Sequence, residues 1–124
     1  MEQISTNQAP AAIGPYAQAV KIGQFVYTSG QIPLTADGTF VEGSIEDQIT
    51  QVLANLDAVL TAAGCGRSDV VKATIFMTNL ADFDKVNQAY GTFFGDHRPA
   101  RSTVQVAGLP RGAQVEIELV AYQA

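Results

Sequence analysis

The sequence predicts an α+β fold in which two helices pack on one face of a mixed β-sheet, in the order ββαβαββ. Two observations predict it. Apolar residues recur at helical spacing in segments 44–63 and 81–94, and short β-rich runs lie before, between and after these segments. The 124 residues, 47% hydrophobic and 15% charged, are enough for one core without disulfide bonds. We therefore expect a single domain over residues 1–124.

The first two strands are expected at 16–22 and 25–31. Both runs are rich in β-forming residues, and the Gly23-Gln24 pair between them is typical of a hairpin connection. Residues 1–15 contain Pro10 and two further turn formers, so we expect an extended leading segment without secondary structure.

A long amphipathic helix is predicted between Ser44 and Gly64. Ser44 is a favourable N-cap residue, and Gly64 suits the left-handed position that follows many helices. Apolar residues at helical spacing form one face: Ile45, Ile49, Val52, Leu53, Leu56, Val59, Leu60 and Ala63.

The second half of the chain predicts a strand, a helix and two further strands, at 69–78, 81–94, 101–107 and 114–122. The six residues GLPRGA separate the last two strands, and we expect them to close a hairpin. In a hairpin Arg101 and Glu116 would lie on adjacent strands and could come close to each other. The pattern leaves two interpretations open, a structural or solvent-exposed ion pair and a pair that faces a pocket.

Charge argues against nucleic acid as a partner. Seven Lys and Arg residues stand against twelve Asp and Glu residues, which gives a net charge of −5, and the basic residues form no run. Binding to nucleic acid draws most of its affinity from Lys and Arg contacts with phosphate. We therefore expect no nucleic-acid partner.

Cys65 and His97 are the only cysteine and the only histidine. This excludes an internal disulfide, a thiolate zinc cluster and a paired-histidine metal site, so we expect no metal and no cofactor. We interpret His97 as a solvated loop residue.

No segment approaches the roughly 20 apolar residues of a membrane helix, and the first residues do not resemble a signal peptide. We therefore expect a cytoplasmic protein without a membrane partner.

Two further features have a structural and a functional interpretation. Asn87 interrupts the apolar face of the second helix, where it either ties the helix to the sheet or a loop, or lines a subunit seam or pocket wall. The segment TSGQIP at 28–33 ends a strand with small and polar residues. Such an end either lets a ligand approach the backbone closely or is only the exit of a strand.

Five motifs, in this order and at this spacing, resemble the RidA/YjgF family of reactive-intermediate (enamine/imine) deaminases. They are APAAIGPYAQAV at 9–20, TSGQIP at 28–33, VNQAYGTFF at 86–94, PARSTVQVAGLPRGA at 99–113 and VEIELVA at 115–121. The resemblance implies a chorismate-mutase-like fold assembled as a homotrimer, with its pockets between subunits.

The resemblance also implies roles for individual residues. Arg101 would bind the substrate carboxylate and Glu116 would act on the attacking water, which makes these two the candidate catalytic residues. The residues expected to bind substrate are Tyr16, Ser29, Gly30, Asn87 and Thr103. Thr103 is a departure, because many family members carry cysteine there.

The implied reaction is hydrolytic deamination. Its substrates would be 2-aminoacrylate and 2-aminocrotonate, or their tautomers 2-iminopropanoate and 2-iminobutanoate, and its products 2-oxo acids and ammonium. Two alternatives stay open, a non-catalytic trimer that binds a metabolite and an endoribonuclease or translation inhibitor. The presence of both Arg101 and Glu116 favours catalysis, because a carboxylate binder needs only the arginine.

Overall fold

The structure, a computed structural model, describes all residues from Met1 to Ala124. It contains two α-helices and six β-strands. Their bounds are β1 Glu2–Ile4, β2 Ala19–Ile22, β3 Phe25–Thr28, α1 Ile45–Ala62, β4 Val70–Met77, α2 Phe83–Phe94, β5 Ala100–Gln105 and β6 Val115–Tyr122.

The six strands form one sheet in the order β1-β2-β3-β6-β4-β5. Neighbouring strands are antiparallel except β4 and β5, which are parallel because α2 connects them as a crossover. Both helices pack on the same face of this sheet. The predicted α+β class, the mixed sheet and the placement of both helices on one face are therefore confirmed.

The predicted hairpin between the last two strands is wrong. β4 lies between β5 and β6, and its Ile75 is paired with Thr103 on one side and Ile117 on the other. The reason lies in the side chains, because β6 buries every second residue completely and so occupies the middle of the sheet. β5 has no fully buried residue and forms the edge.

The leading segment also differs from the prediction. Residues Glu2–Ile4 form a strand that pairs with β2, with Gln3 opposite Val20, and Ile4 is buried in the core. The observed order is therefore βββαβαββ. A strand of three residues is too short to show a period, so the sequence gives no signal for it.

The helix ends follow from their sequences. The hydroxyl oxygen of Ser44 accepts a hydrogen bond from the amide of Asp47 at 3.1 Å, as expected of an N-cap. Gly64 follows α1 with φ of 80°. α2 begins at Phe83, later than predicted, because a single 3-10 turn over Leu80–Asp82 precedes it.

The two faces of the sheet differ in cover. Ile117 and the other inward residues of β6 pack under the helices, whereas Glu116 points to the opposite face, which no helix covers. Three large aromatic side chains are partly exposed on this open face, Phe25, Tyr27 and Tyr122. No helix in the chain has the length and apolar character needed to cross a membrane.

Candidate active site

The predicted site residues fall into two groups in the chain. Tyr16, Ser29, Gly30 and Glu116 line one cavity of about 600 Å³. Arg101, Asn87 and Thr103 lie elsewhere, between β5 and α2.

Buried and partly buried hydrogen bonds hold the walls of this cavity. The hydroxyl of Ser29 donates to the carbonyl of Ala17 at 2.6 Å. The amide side chain of Gln18 donates to the carbonyl of Pro10 at 2.7 Å and accepts from the amide of Thr6 at 2.7 Å. Gln18 thus fastens residues 6–10, of which Pro10 lines the cavity, a role that the strand pattern does not indicate.

The TSGQ segment is fastened directly to the strand that carries Glu116. Gln31 and Ile117 exchange two backbone hydrogen bonds, of 2.9 and 3.2 Å. Gly30 therefore lies against the Glu116 side chain, and a Cβ atom at position 30 would stand 2.5 Å from Glu116 Oε2. Only glycine leaves the carboxylate in this position, so the group that approaches the backbone of TSGQIP here is the Glu116 side chain, and the approach of a ligand stays a prediction.

The Glu116 carboxyl is poised to accept a proton. Burial raises the pKa of Glu116 above its ordinary value, and the neighbouring negative charge of Glu118 raises it further. A carboxylate with a raised pKa is a stronger base than an ordinary one.

Arg101 is held by side chains of α2. Its Nη1 donates to Asn87 Oδ1 at 2.7 Å, and its guanidinium carbon lies 4.9 Å from the centre of the Tyr90 ring and 5.5 Å from that of Phe83. The ion pairs of the chain are Arg67–Asp57 and Lys85–Glu46, so no carboxylate neutralises Arg101. Its positive charge and remaining N–H donors are available to an anion. Asn87 thus ties the helix to the sheet, one of the two interpretations given above, and does so through Arg101.

Two hydroxyl groups near Arg101 have no hydrogen-bond partner. The oxygens of Tyr90 and Thr103 are inaccessible to solvent and unpaired. Burial raises the pKa of Tyr90, while the positive charges of Arg101 and Arg98 oppose this rise. Tyr90 lies at the helical spacing of a core residue, so the sequence pattern alone does not distinguish it from one.

A single chain does not bring Arg101 and Glu116 together. Arg101 is paired with the buried Ala73 and lies on the helix side of the sheet, whereas Glu116 is paired with Phe76 on the opposite side. β4 separates their strands. The predicted approach of these two side chains across a hairpin is therefore wrong.

His97 and Cys65 have structural roles. His97 is not a solvated loop residue, because its Nε2 lies 2.7 Å from the carbonyl oxygen of Val70 and joins the loop to the sheet. Cys65 is buried, and burial raises the pKa of its thiol, which disfavours the reactive thiolate. The chain has no group of three or more His, Cys, Asp or Glu side chains that could hold a metal ion.

Comparison with known proteins places the chain in a family. The sequence profile described as Endoribonuclease L-PSP matches residues 6–123. The mouse protein named 2-iminobutanoate/2-iminopropanoate deaminase is 48% identical over 121 residues, which cover 97% of this chain and 90% of the mouse protein. The motifs, the fold and this match agree, and the chain belongs to the RidA/YjgF family, also described as the L-PSP family.

Solved structures show the same fold. A Thermotoga maritima protein has a TM-score of 0.98 and 48% sequence identity, and the match covers 100% of this chain and 98% of that one. TdcF of E. coli, solved with bound serine, has a TM-score of 0.96 and 42% identity, with both chains covered fully at 100%.

Proposed function

We propose that this protein hydrolyses reactive enamines and imines of small 2-amino acids to 2-oxo acids and ammonium. The observation that carries the proposal is the Glu116 carboxyl, which lines a cavity against Gly30 with a raised pKa. The un-neutralised Arg101 supplies a site for the substrate carboxylate. The names of relatives, 48% identical in mouse and 50% identical in Arabidopsis, support the same activity.

The proposed active unit is a homotrimer with its pockets between subunits. Arg101 and Glu116 lie on opposite faces of one sheet, so both reach one ligand only if each pocket takes them from different copies. The partly exposed aromatic side chains on the open face, Phe25, Tyr27 and Tyr122, offer the apolar surface that such an assembly would bury.

In the proposed mechanism Arg101 grips the substrate carboxylate through two parallel N–H···O bonds. The hydrogen bond to Asn87 and the two aromatic rings hold the guanidinium plane for this contact. Glu116 of the adjoining copy orients a water toward C2 and takes its proton as the C–O bond forms.

The proton then passes from Glu116 to the nitrogen of the carbinolamine. Collapse of this intermediate breaks the C–N bond, and the hydroxyl group gives up its proton to the departing ammonia, which leaves the ketone and ammonium. Backbone groups at Gly30 and Thr103 would hold the imine nitrogen. Imines already react with water, so the stabilisation required lies well below the ~8–23 kcal/mol typical of enzymes.

Two other functions predict different behaviour. An endoribonuclease must attract a polyanion, which a chain with a net charge of −5 does poorly. A metabolite-binding trimer would retain 2-oxo acids in the pocket without consuming the imine. The deaminase is preferred because a pure carboxylate binder has no use for the carboxyl of Glu116.

The decisive experiment generates 2-aminoacrylate in place, with a pyridoxal-phosphate dehydratase acting on serine, and follows its decay with and without this protein. The wild type should accelerate the decay, and Arg101→Ala and Glu116→Gln should abolish the acceleration while keeping the wild-type oligomer. Acceleration retained in Arg101→Ala, or absent from the assembled wild type, contradicts the proposal. Binding of pyruvate without acceleration would favour the metabolite-binding trimer.

A further inference from the structure

Arg111 has an unusual backbone conformation. Its φ of 62° makes it the one residue other than glycine with a positive φ. It lies in a tight turn between Pro110 and Gly112, closed by a hydrogen bond of 3.2 Å from the amide of Ala113 to the carbonyl of Pro110. The left-handed region is unfavourable for residues with a Cβ atom, and such strain is concentrated at functional sites.

The turn carries Arg111 to the cavity that contains Glu116. Arg111 is the only cationic side chain lining this cavity. No carboxylate pairs with it, and its guanidinium carbon stands 5.8 Å from the centre of the Phe40 ring. Asp37 shares a smaller adjoining cavity of about 170 Å³ with Arg111, but hydrogen bonds from Thr35 and Thr39 engage its carboxylate.

Apolar residues line the rest of the wall, notably Ile13, Ile32 and Leu34. A substrate with C2 beside Glu116 would lay its side chain along this wall. Arg111 and Glu116 line the same cavity, so one ligand can lie between them along this wall. The cavity therefore offers an apolar path for a substrate side chain between Glu116 and the cation of Arg111.

We propose that Arg111 is a specificity-determining residue that binds a carboxylate at the end of the substrate side chain, so that dicarboxylic 2-imino acids are preferred over neutral ones of equal length. This rests on the proposed deaminase function. A guanidinium and a carboxylate form paired hydrogen bonds, and the flanking apolar wall strengthens them by excluding water.

The test compares two five-carbon imino acids that differ only in the terminal carboxylate. A flavin amino-acid oxidase, with catalase present, generates them from glutamate and from norvaline, and kcat/KM follows from the rate of imine decay. The wild type should prefer the glutamate-derived imine. Arg111→Met, which keeps an unbranched chain without charge, should lower this preference about tenfold through KM, whereas Arg111→Lys should retain part of it.

Lys85→Met is the matched control, because it removes one positive charge from the exposed surface of α2 away from this cavity. It should leave the preference unchanged. The proposal is overturned if the wild type and Arg111→Met prefer the glutamate-derived imine equally. It is also overturned if Lys85→Met loses as much of this preference as Arg111→Met does.

A binding measurement separates this proposal from the proposed function. Calorimetry with 2-oxoglutarate and 2-oxopentanoate reports the affinity for each product without any turnover. If the assembled wild type consumes no imine yet binds 2-oxoglutarate more tightly in an Arg111-dependent manner, the deaminase function fails and the assignment of Arg111 stands. Equal affinities for the two acids overturn the assignment.

Discussion

Asn87 Oδ1 accepts a hydrogen bond of 2.7 Å from Arg101 Nη1, which joins the middle of α2 to the edge strand β5. An asparagine oxygen can hold a guanidinium without neutralising it. An aspartate in the same place would form an ion pair and compete with any incoming anion. The choice of a neutral acceptor therefore keeps Arg101 both fixed and charged.

Substitution of Asn87 should weaken substrate binding more than it slows the chemical step. We expect Asn87→Ala to raise KM about tenfold. One hydrogen bond to a charged group contributes roughly 1.5–3 kcal/mol, and a water molecule that replaces the asparagine recovers part of this free energy. Asn87→Asp should raise KM further by neutralising Arg101. Steady-state kinetics at fixed pH measures both, with the exposed neighbour Gln88→Ala as control. A lower KM in Asn87→Asp would contradict this role.

Gly30→Ala should remove activity without unfolding the protein. The added Cβ would lie 2.5 Å from Glu116 Oε2 and 2.8 Å from its Cδ, so the carboxylate must move. Displacement of a catalytic group by about 1 Å can cost about 100-fold in rate. The free energy of unfolding should change little, because the colliding atoms end a flexible side chain.

Gly91→Ala is the matched control, since a Cβ there meets no atom within 4 Å. It should keep full activity and, within a helix, raise stability by about 1 kcal/mol. Activity assays and denaturation of both variants test the pair. Full activity in Gly30→Ala would show that the position of Glu116 in this cavity does not matter.

The acid limb of the pH–rate profile should report Glu116. Its pKa is raised, first by burial and then by Glu118, so activity should fall with decreasing pH above the ordinary carboxyl value of 4.5. Glu118→Gln removes the second cause and should move the limb to lower pH, only part of the way because burial remains. A limb that does not move would exclude Glu116 as the titrating group.

The same raised pKa has an effect on stability, with the opposite sign to that of a salt-bridged acid. Between pH 4.5 and the raised pKa of Glu116, the folded state binds more protons than the unfolded state. The contribution of the Glu116 carboxyl to the free energy of unfolding is therefore lost as pH rises through this window. Glu116→Gln should therefore be more stable than the wild type at neutral pH while it is inactive. Denaturation at several pH values measures this difference.

Tyr90→Phe should stabilise the fold. The Tyr90 hydroxyl is buried without a partner, and an unsatisfied buried polar group costs about 1–3 kcal/mol. Removing it should raise the free energy of unfolding by about 1 kcal/mol, measured by chemical denaturation. A loss of stability would instead show that the hydroxyl finds a partner in the assembled protein.

The elements of this fold were largely predictable, and their neighbours in the sheet were not. Alternation along β6 shows that Ile117 and Glu116 take opposite faces, but it carries no information on which strand lies beside it. The short connection between β5 and β6 favoured a hairpin, whereas burial of β6 on its inner face placed it at the centre. The three-residue β1 has no period to detect.

The candidate site was also predictable only in part. The resemblance singled out Glu116 and Gly30, and the structure shows their contact. It also singled out Arg101 and Asn87, and the structure shows that one binds the other. Arg111 and Tyr90 were not among the predicted site residues. The position of Arg111 depends on a turn conformation, and Tyr90 has the helical spacing of any core aromatic residue.

The separation of Arg101 and Glu116 on opposite faces has a genetic consequence. In the proposed trimer each pocket draws its arginine and its glutamate from different chains, so two inactive variants can rescue each other. Unfolding and refolding an equal mixture of Arg101→Ala and Glu116→Gln should restore roughly a quarter of the pockets. A pocket is intact only when the Glu116→Gln chain supplies its arginine and the Arg101→Ala chain supplies its glutamate. Two damaged alleles in one cell would then complement, whereas a chain that carries both substitutions would spoil pockets on both of its sides.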